Sequence, residues 1–257
     1  MSARPTAADF NAFFRGTVFG NYDIFSRRSY ADFVRRNDID LARAITALNG
    51  TTLTGALAFG LRGGRAWFGL IGVHPKHRRE GVARQMMVGA IDAVHRLGVT
   101  SIELEISQRN APTLAFIQAF GFEQHGELLV WARTARRTHG GALAQRTFTE
   151  AAVAAIANAP SACWQREPRS VSLARSFALI EVPDAYAFVR VDGEFANVLD
   201  AGARDDAAGQ ALLAELDARL PYDLTLNNEP ADSALSGALR DGGWDIVERQ
   251  YRMVHTV

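Results

Sequence analysis

Apolar positions along the chain switch repeatedly between a period near 3.6 and a period of two, and the order of switches occurs twice. Residues 6–19 place Phe10, Phe13, Phe14 and Val18 near one helical face, and residues 29–36 predict a second helix with Tyr30, Phe33 and Val34 inward. Strand patterns follow at 41–48, 51–61 and 66–73. They are joined by Asn49-Gly50 and by Arg62-Gly63-Gly64-Arg65, both hairpin signals. Helical spacing returns with Val82, Met86, Met87, Ala90, Val94 and Leu97, up to a stop signal at Gly98. Residues 101–106 alternate, with Ile102, Leu104 and Ile106 on one face and Glu103 and Glu105 on the other. A short helix over 113–120 and strands at Phe122 and 128–131 complete this half.

Residues 134–144 are basic and contain Gly, as a linker would. The same order then repeats: a helix over 149–157, a helix or loop over 161–174, strands over 177–182, 186–191 and 195–199, a helix over 207–220, a strand over 222–226, a helix over 234–240 and a strand over 244–253. The expected fold is α/β (α+β): a mixed, mostly antiparallel central sheet flanked by helices. It is built in tandem over 1–134 and 146–257, with 135–145 between.

Composition narrows the function classes. The 28 basic and 28 acidic residues balance, which argues against a dedicated nucleic-acid binder and makes a local basic cluster stand out. The lone Cys163 excludes an intrachain disulfide and a Cys-rich metal site, so no metal is expected. No run of eighteen apolar residues exists, and the opening MSARPTAADF lacks the apolar core of a signal peptide. No membrane association is expected, and the expected location is cytoplasmic.

The basic cluster lies in residues 67–90, WFGLIGVHPKHRREGVARQMMVGA, read as strand, Gly-containing turn and helix. The first turn of a helix carries unpaired N–H groups and partial positive charge, a Gly permits close approach of a ligand, and Arg78, Arg79 and Arg84 add full charges. Two readings stay open from these residues alone: a socket for a phosphate or pyrophosphate, or a solvated basic turn.

Arg78-x-x-Gly81-x-Ala83 after a strand resembles the acyl-CoA pyrophosphate motif of the GCN5-related N-acetyltransferases (GNAT). Residues 104–110 (LEISQRN) and 116–122 (FIQAFGF) resemble that family's second motif. The resemblance runs from near residue 40 to near residue 131, in the family's order. It implies the acyl-CoA N-acyltransferase fold and transfer of the acetyl group of acetyl-CoA directly to a primary amine, with no covalent enzyme intermediate. By the resemblance, the strand residues Leu70, Ile71, Gly72 and Val73 hold the pantetheine arm through a bulge and exposed backbone groups. The backbone of Arg79, Glu80, Gly81, Val82, Ala83 and Arg84, with Arg78, holds the pyrophosphate. Asn110 contacts the arm or caps the helix that carries Thr113 and Phe116.

The chain departs from the family in three places. The usual opening strand is missing ahead of residue 6. Ile117 stands where a Tyr often protonates the leaving thiolate. No general base is evident: Glu105, Glu103, His74 and Tyr22 are candidates, with Asp23 and Glu105 also able to bind a cationic acceptor. For Glu103 and Glu105 a solvent-facing strand position is the alternative. In the second half, residues 224–228 (LTLNN) and Gly243-Trp244 echo the second motif, but Asp200, Asp205 and Asp206 stand where Arg78 and Arg79 stood. Carboxylates repel a pyrophosphate, so this copy is expected to be degenerate and to bind no acyl-CoA. Asp200, Asp205, Asp206, Glu229 and Asp232 are expected to form a solvated acidic surface. Cys163 is expected to be a buried thiol. The leading function is an acetyltransferase acting on a small-molecule amine, as a monomer or homodimer. A catalytically weak or inactive acyl-CoA-binding module and a nucleic-acid- or protein-binding scaffold are the alternatives.

Overall fold

The structure is a computed structural model that describes residues 5–17, 27–135, 163–174, 177–192 and 195–257. Helices α1 (Ala7–Thr17) and α2 (Arg27–Arg36) lead into strands β1 (Ile45–Asn49), β2 (Thr52–Arg62) and β3 (Arg65–Val73). They are followed by α3 (Val82–His95), β4 (Ser101–Ser107), α4 (Ala111–Gln118) and β5 (Glu123–Arg133). The second half supplies the short helix α5 (Pro168–Ser172), β6 (Ala178–Val182), β7 (Ala185–Asp192), β8 (Phe195–Ala203), α6 (Asp206–Arg219), β9 (Asp223–Pro230), α7 (Ala234–Asp241) and β10 (Asp245–Thr256).

By contacts the chain forms two compact units, interleaved in sequence. One comprises residues 1–105, 120–123 and 253–257; the other comprises 106–119 and 124–252. Within the first, strands run β1-β2-β3-β4, and the end of β10 joins β4, with Val257 N–H donating to Thr100 at 3.0 Å. Within the second, the order is β10-β5-β9-β8-β7-β6. Pairing is antiparallel at β1–β2, β2–β3, β5–β9, β6–β7 and β7–β8, and parallel at β3–β4 and β8–β9. The helical stripe of α1 buries Phe10, Phe13 and Phe14; α3 buries Met86, Met87, Ala90 and Val94. In the second unit α6 buries Leu212, Leu213 and Leu216, in one cluster with Trp131, Leu224 and Leu226.

Residues 41–48 are not one strand. Leu41–Arg43 is a 3-10 turn because the Asp40 carboxylate caps it, accepting from Ala42 N–H at 2.9 Å, and β1 starts only at Ile45. In segment 161–174 the described part is a 3-10 turn, Trp164–Arg166, followed by α5. The helix expected over 149–157, most of the linker, and Val18, Tyr22 and Asp23 lie outside the described residues.

Candidate functional site

Strands β3 and β4 begin side by side and then part. Their parallel register covers Arg65–Ser101, Ala66–Ile102 and Trp67–Glu103, and pairing stops there. The cause lies on the other edge of β3, where Phe68 and Gly69 both fall opposite Phe59 of β2, one residue too many. Such a bulge bends its strand and raises the local twist. Beyond it β3 stays paired with β2, through Leu70–Ala58, Ile71–Leu57, Gly72–Ala56 and Val73–Gly55. His74 N–H donates to Thr54 at 2.8 Å. Backbone groups alternate sides along an antiparallel strand, so this bond turns the N–H and C=O groups of Ile71 and Val73 away from β2, toward the side that β4 has left.

The chain then makes an exposed turn into α3. Arg79 adopts φ 68° and Gly81 φ 80°. Left-handed backbone costs a non-Gly residue of order 1 kcal/mol, so Arg79 is strained into this shape. Gly81 is the N-cap of α3 and no side chain caps the amides there. The other described helices of eight residues or more with a described start are all capped: Thr6 accepts from Asp9 in α1, and Asn110, Asp205 and Ser233 cap α4, α6 and α7. The first-turn donors of α3 therefore face open space, and a Cβ built on Gly81 meets nothing within 4 Å. Arg78 reaches back to the Val73 carbonyl through Nε at 3.3 Å, Arg84 lies over the Phe120 ring at 5.6 Å, and the Glu80 carboxylate is drawn onto His77 Nδ1 at 3.1 Å. Uncapped amides, three arginines and a carboxylate held aside suit a multiply charged anion. Gly81→Ala is expected to lower the melting temperature by a few degrees, through backbone strain of roughly 1–2 kcal/mol at φ 80°, and to weaken binding of CoA about tenfold by calorimetry where the turn relaxes that strain by turning the first-turn amides aside.

The base candidates separate. Glu103 is buried and not solvent-facing: Arg65 Nη1 donates to its Oε1 at 2.9 Å. Glu105, half-buried beyond the last β3–β4 pair, accepts from Trp67 Nε1 at 2.8 Å. Both carboxylates are covered because this face carries Trp67, against which Phe33 of α2 packs at 5.9 Å. His74 Nδ1 accepts from Lys76 N–H at 3.3 Å, so the neutral ring carries its proton on Nε2 and offers a donor there, not a base. Tyr22 is outside the described residues. Asn110 Oδ1 accepts from Thr113 N–H at 3.3 Å, the capping role, and Ile117 is fully buried on the same helix with half-buried Phe116. These α4 residues belong to the second compact unit.

That second unit repeats the bulge and the parting. Strand β8 pairs with β9 from Phe195–Asp223 to Val198–Leu226, and Leu199 is the extra residue against β7. Arg204 N–H donates to Asp184 at 3.0 Å, as His74 does to Thr54, so Ala201 takes the place of Ile71. The gap is filled. Buried Arg166 donates through Nη2 to the Ala201 carbonyl at 2.6 Å, through Nη1 to the Asn228 carbonyl at 3.1 Å and through Nε to Asp200 Oδ1 at 2.9 Å. It also pairs with Glu229, which in turn accepts from Ser233, and Tyr186 O–H donates to the second Asp200 oxygen at 2.9 Å.

Burial alone would loosen Arg166's hold on its proton, but the Glu229 and Asp200 carboxylates more than offset it and drive it up. Burial pushes the Tyr186 phenol up, with Asp200 adding to the effect, and pushes the Glu229 carboxyl up against the pull of Arg166. Asp200 and Glu229 are therefore interior ion-pair partners and not a solvated acidic surface. Asp200 sits inside β8 and does not occupy a turn matching Arg78. The turn itself is absent: residues 74–81 join β3 to α3, whereas only Arg204 and Asp205 join β8 to α6. Asp205 caps α6 through Ala208 N–H at 2.9 Å, and that bond holds its carboxyl below the usual range. Arg166 was not singled out from sequence, where nothing links it to residues 34 to 63 positions away. Cys163 is buried beside it. Among the described residues no group of three or more His, Cys, Asp or Glu could hold a metal ion, and no helix is long and apolar enough to cross a membrane.

Residues 10–122 match the family model described as "Acetyltransferase (GNAT) family". No curated protein matches the chain. Among solved structures, a putative acetyltransferase from Pyrococcus horikoshii is 15% identical, with TM-score 0.70 over 98% of this chain and 86% of that one. A GCN5-related N-acetyltransferase from Sphaerobacter thermophilus is 15% identical, with TM-score 0.69 over 100% and 95%. A tandem GNAT protein from the clavulanic acid biosynthesis pathway is 16% identical, with TM-score 0.60 over 100% and 97%. These likenesses establish the acyl-CoA N-acyltransferase fold along the whole chain.

Proposed function

We propose that the chain, whose residues 10–122 match the acetyltransferase (GNAT) family model, is a member of that family and transfers the acetyl group of acetyl-CoA to the primary amine of a small molecule. The observation that carries this reading is the uncapped start of α3, where Gly81 opens the first-turn amides between Arg78, Arg79 and Arg84. The amides from Arg79 to Arg84 bind the pyrophosphate, and the free edge of Ile71 and Val73 binds the pantetheine arm as an added strand would. Acetyl-CoA supplies the reactive thioester. The Val73 N–H polarises the carbonyl as charge develops on its oxygen, and positioning does most of the remaining work. Glu105 takes the acceptor's proton. Ile117 has no proton to give, so the thiolate departs to solvent.

We read 1–134 and 146–257 as two copies of one fold with 135–145 between, supported by the repeated element order and the repeated bulge. Only the first copy binds acyl-CoA. In the second, Arg166 occupies the parted strands and Asp205 the helix start. Titration calorimetry with CoA should give one equivalent per chain, and thiol release with acetyl-CoA and a panel of amines should detect turnover. Two equivalents would remove the degenerate-copy reading; no heat would remove the whole proposal. A second reading, an acyl-CoA-binding module without turnover, is favoured by the buried, apolar Ile117. Tight CoA binding with no thiol release on any amine would support it.

A further inference from the structure

We propose that Trp67 is a positioning residue of the transfer reaction: its indole N–H aims the Glu105 carboxylate at the acceptor's nitrogen and so selects Glu105 as the proton acceptor. The inference rests on the acetyltransferase reading above and names a residue that the family motifs do not include.

Three observations meet at one point. Trp67 is the last residue of β3 to pair with β4, and its Nε1 reaches Oε2 of Glu105, which lies two residues past the end of that pairing, at 2.8 Å. The indole is itself fixed. It is 1% exposed, packs against Phe33 and lies over the bulge at Gly69. A Cβ on Gly69 would sit 2.0 Å from Cζ3 and 2.3 Å from Cη2 of the ring, so residue 69 must be Gly for the indole to occupy this place. The bulge that parts the strands thus also seats the ring that orients the carboxylate beside the gap. Glu103, two residues back on the same face of that alternating strand, is committed to Arg65, and His74 presents a donor. In the step itself, the acceptor ammonium gives a proton to Glu105. The freed nitrogen pair then bonds to the acyl carbon, the C–S bond breaks with its electron pair leaving on sulfur, and the nitrogen's second proton passes to solvent, from which the departing thiolate is protonated. A hydrogen bond that favours the charged carboxylate keeps it ionised to lower pH and fixes its rotamer.

The test uses Trp67→Phe, which keeps most of the ring volume and removes the donor, in the full chain with acetyl-CoA and n-butylamine, phenethylamine and alaninamide. Expected are an unchanged affinity for acetyl-CoA, a kcat lower by about tenfold, and an acid limb of the kcat/KM profile moved up by as much as about one pH unit. Glu105→Asp, which withdraws the carboxylate from the indole but keeps its charge, is expected to move the same limb the same way. It serves where Trp67→Phe does not fold. In nitrogen-15 spectra of the indole groups, the Trp67 signal is expected to shift in Glu105→Gln. Wild-type kcat and profile in Trp67→Phe, or an unmoved indole signal in Glu105→Gln, would overturn the positioning role alone. A wild-type chain that binds acetyl-CoA yet releases no thiol with any of the three amines overturns the transferase reading on which it rests.

Discussion

Charge reversal at both Arg78 and Arg79, as Arg78→Glu with Arg79→Glu, is expected to weaken acetyl-CoA binding by at least about 100-fold while leaving the melting temperature within a few degrees of wild type. Both side chains are exposed, so little core packing depends on them. Hydrogen bonds from charged groups contribute roughly 1.5–3 kcal/mol each. Losing two such donors to phosphate and adding two carboxylates at an uncapped helix start therefore costs several factors of ten. The residual binding should weaken less steeply with added salt than that of wild type, because fewer charges are neutralised on binding. Calorimetry at two ionic strengths checks both statements. Wild-type affinity in the double variant would place the anion elsewhere.

Arg166→Met is expected to lower stability by roughly 3–5 kcal/mol, read by denaturant unfolding, with loss of cooperative folding as the extreme outcome. The guanidinium is enclosed, and its removal strands Asp200 and Glu229 together, along with the Ala201 and Asn228 carbonyls. The deficit should depend on pH with a definite sign. Burial already pushes the Glu229 carboxyl up against the pull of Arg166; without Arg166 only the push remains. Between the unfolded carboxylate range, at about pH 4, and that raised value, the folded variant binds more protons than the unfolded chain, so its stability rises as pH falls. The gap between wild type and Arg166→Met should be widest near neutral pH and narrow toward pH 5. A gap independent of pH would mean that the cluster carries no stranded charge.

The Arg166 cluster also marks where sequence reading stops. The amphipathic stripes of α1 and α3, the hairpin at Asn49-Gly50 and the alternation of β4 are local patterns, and they placed most elements within a few residues. The basic, glycine-containing turn was legible for a similar reason, since Gly81 and its arginines lie within residues 78–84. Longer-range consequences were not. Glu103 and Glu105 look alike on an alternating strand, and only the bulge at Phe68-Gly69 and the packing of Phe33 on Trp67 separate them. The 3-10 turn at Leu41–Arg43 was missed because its apolar spacing mimics a strand, while the Asp40 cap that decides the matter is a hydrogen bond and not a pattern.

By itself the sequence determined most of the described helices and strands, and that the helix after β3 has a cationic, glycine-containing start. Those are properties of neighbouring residues, set by periodicity, charge and allowed backbone angles. Only the tertiary structure decided that β3 and β4 part at a bulge, that Trp67 holds Glu105, and that the matching gap between β8 and β9 is filled by Arg166. Each of these depends on side chains tens of residues apart meeting across parted strands, where burial drives most polar atoms to find a partner, and no local spacing records which partner each finds.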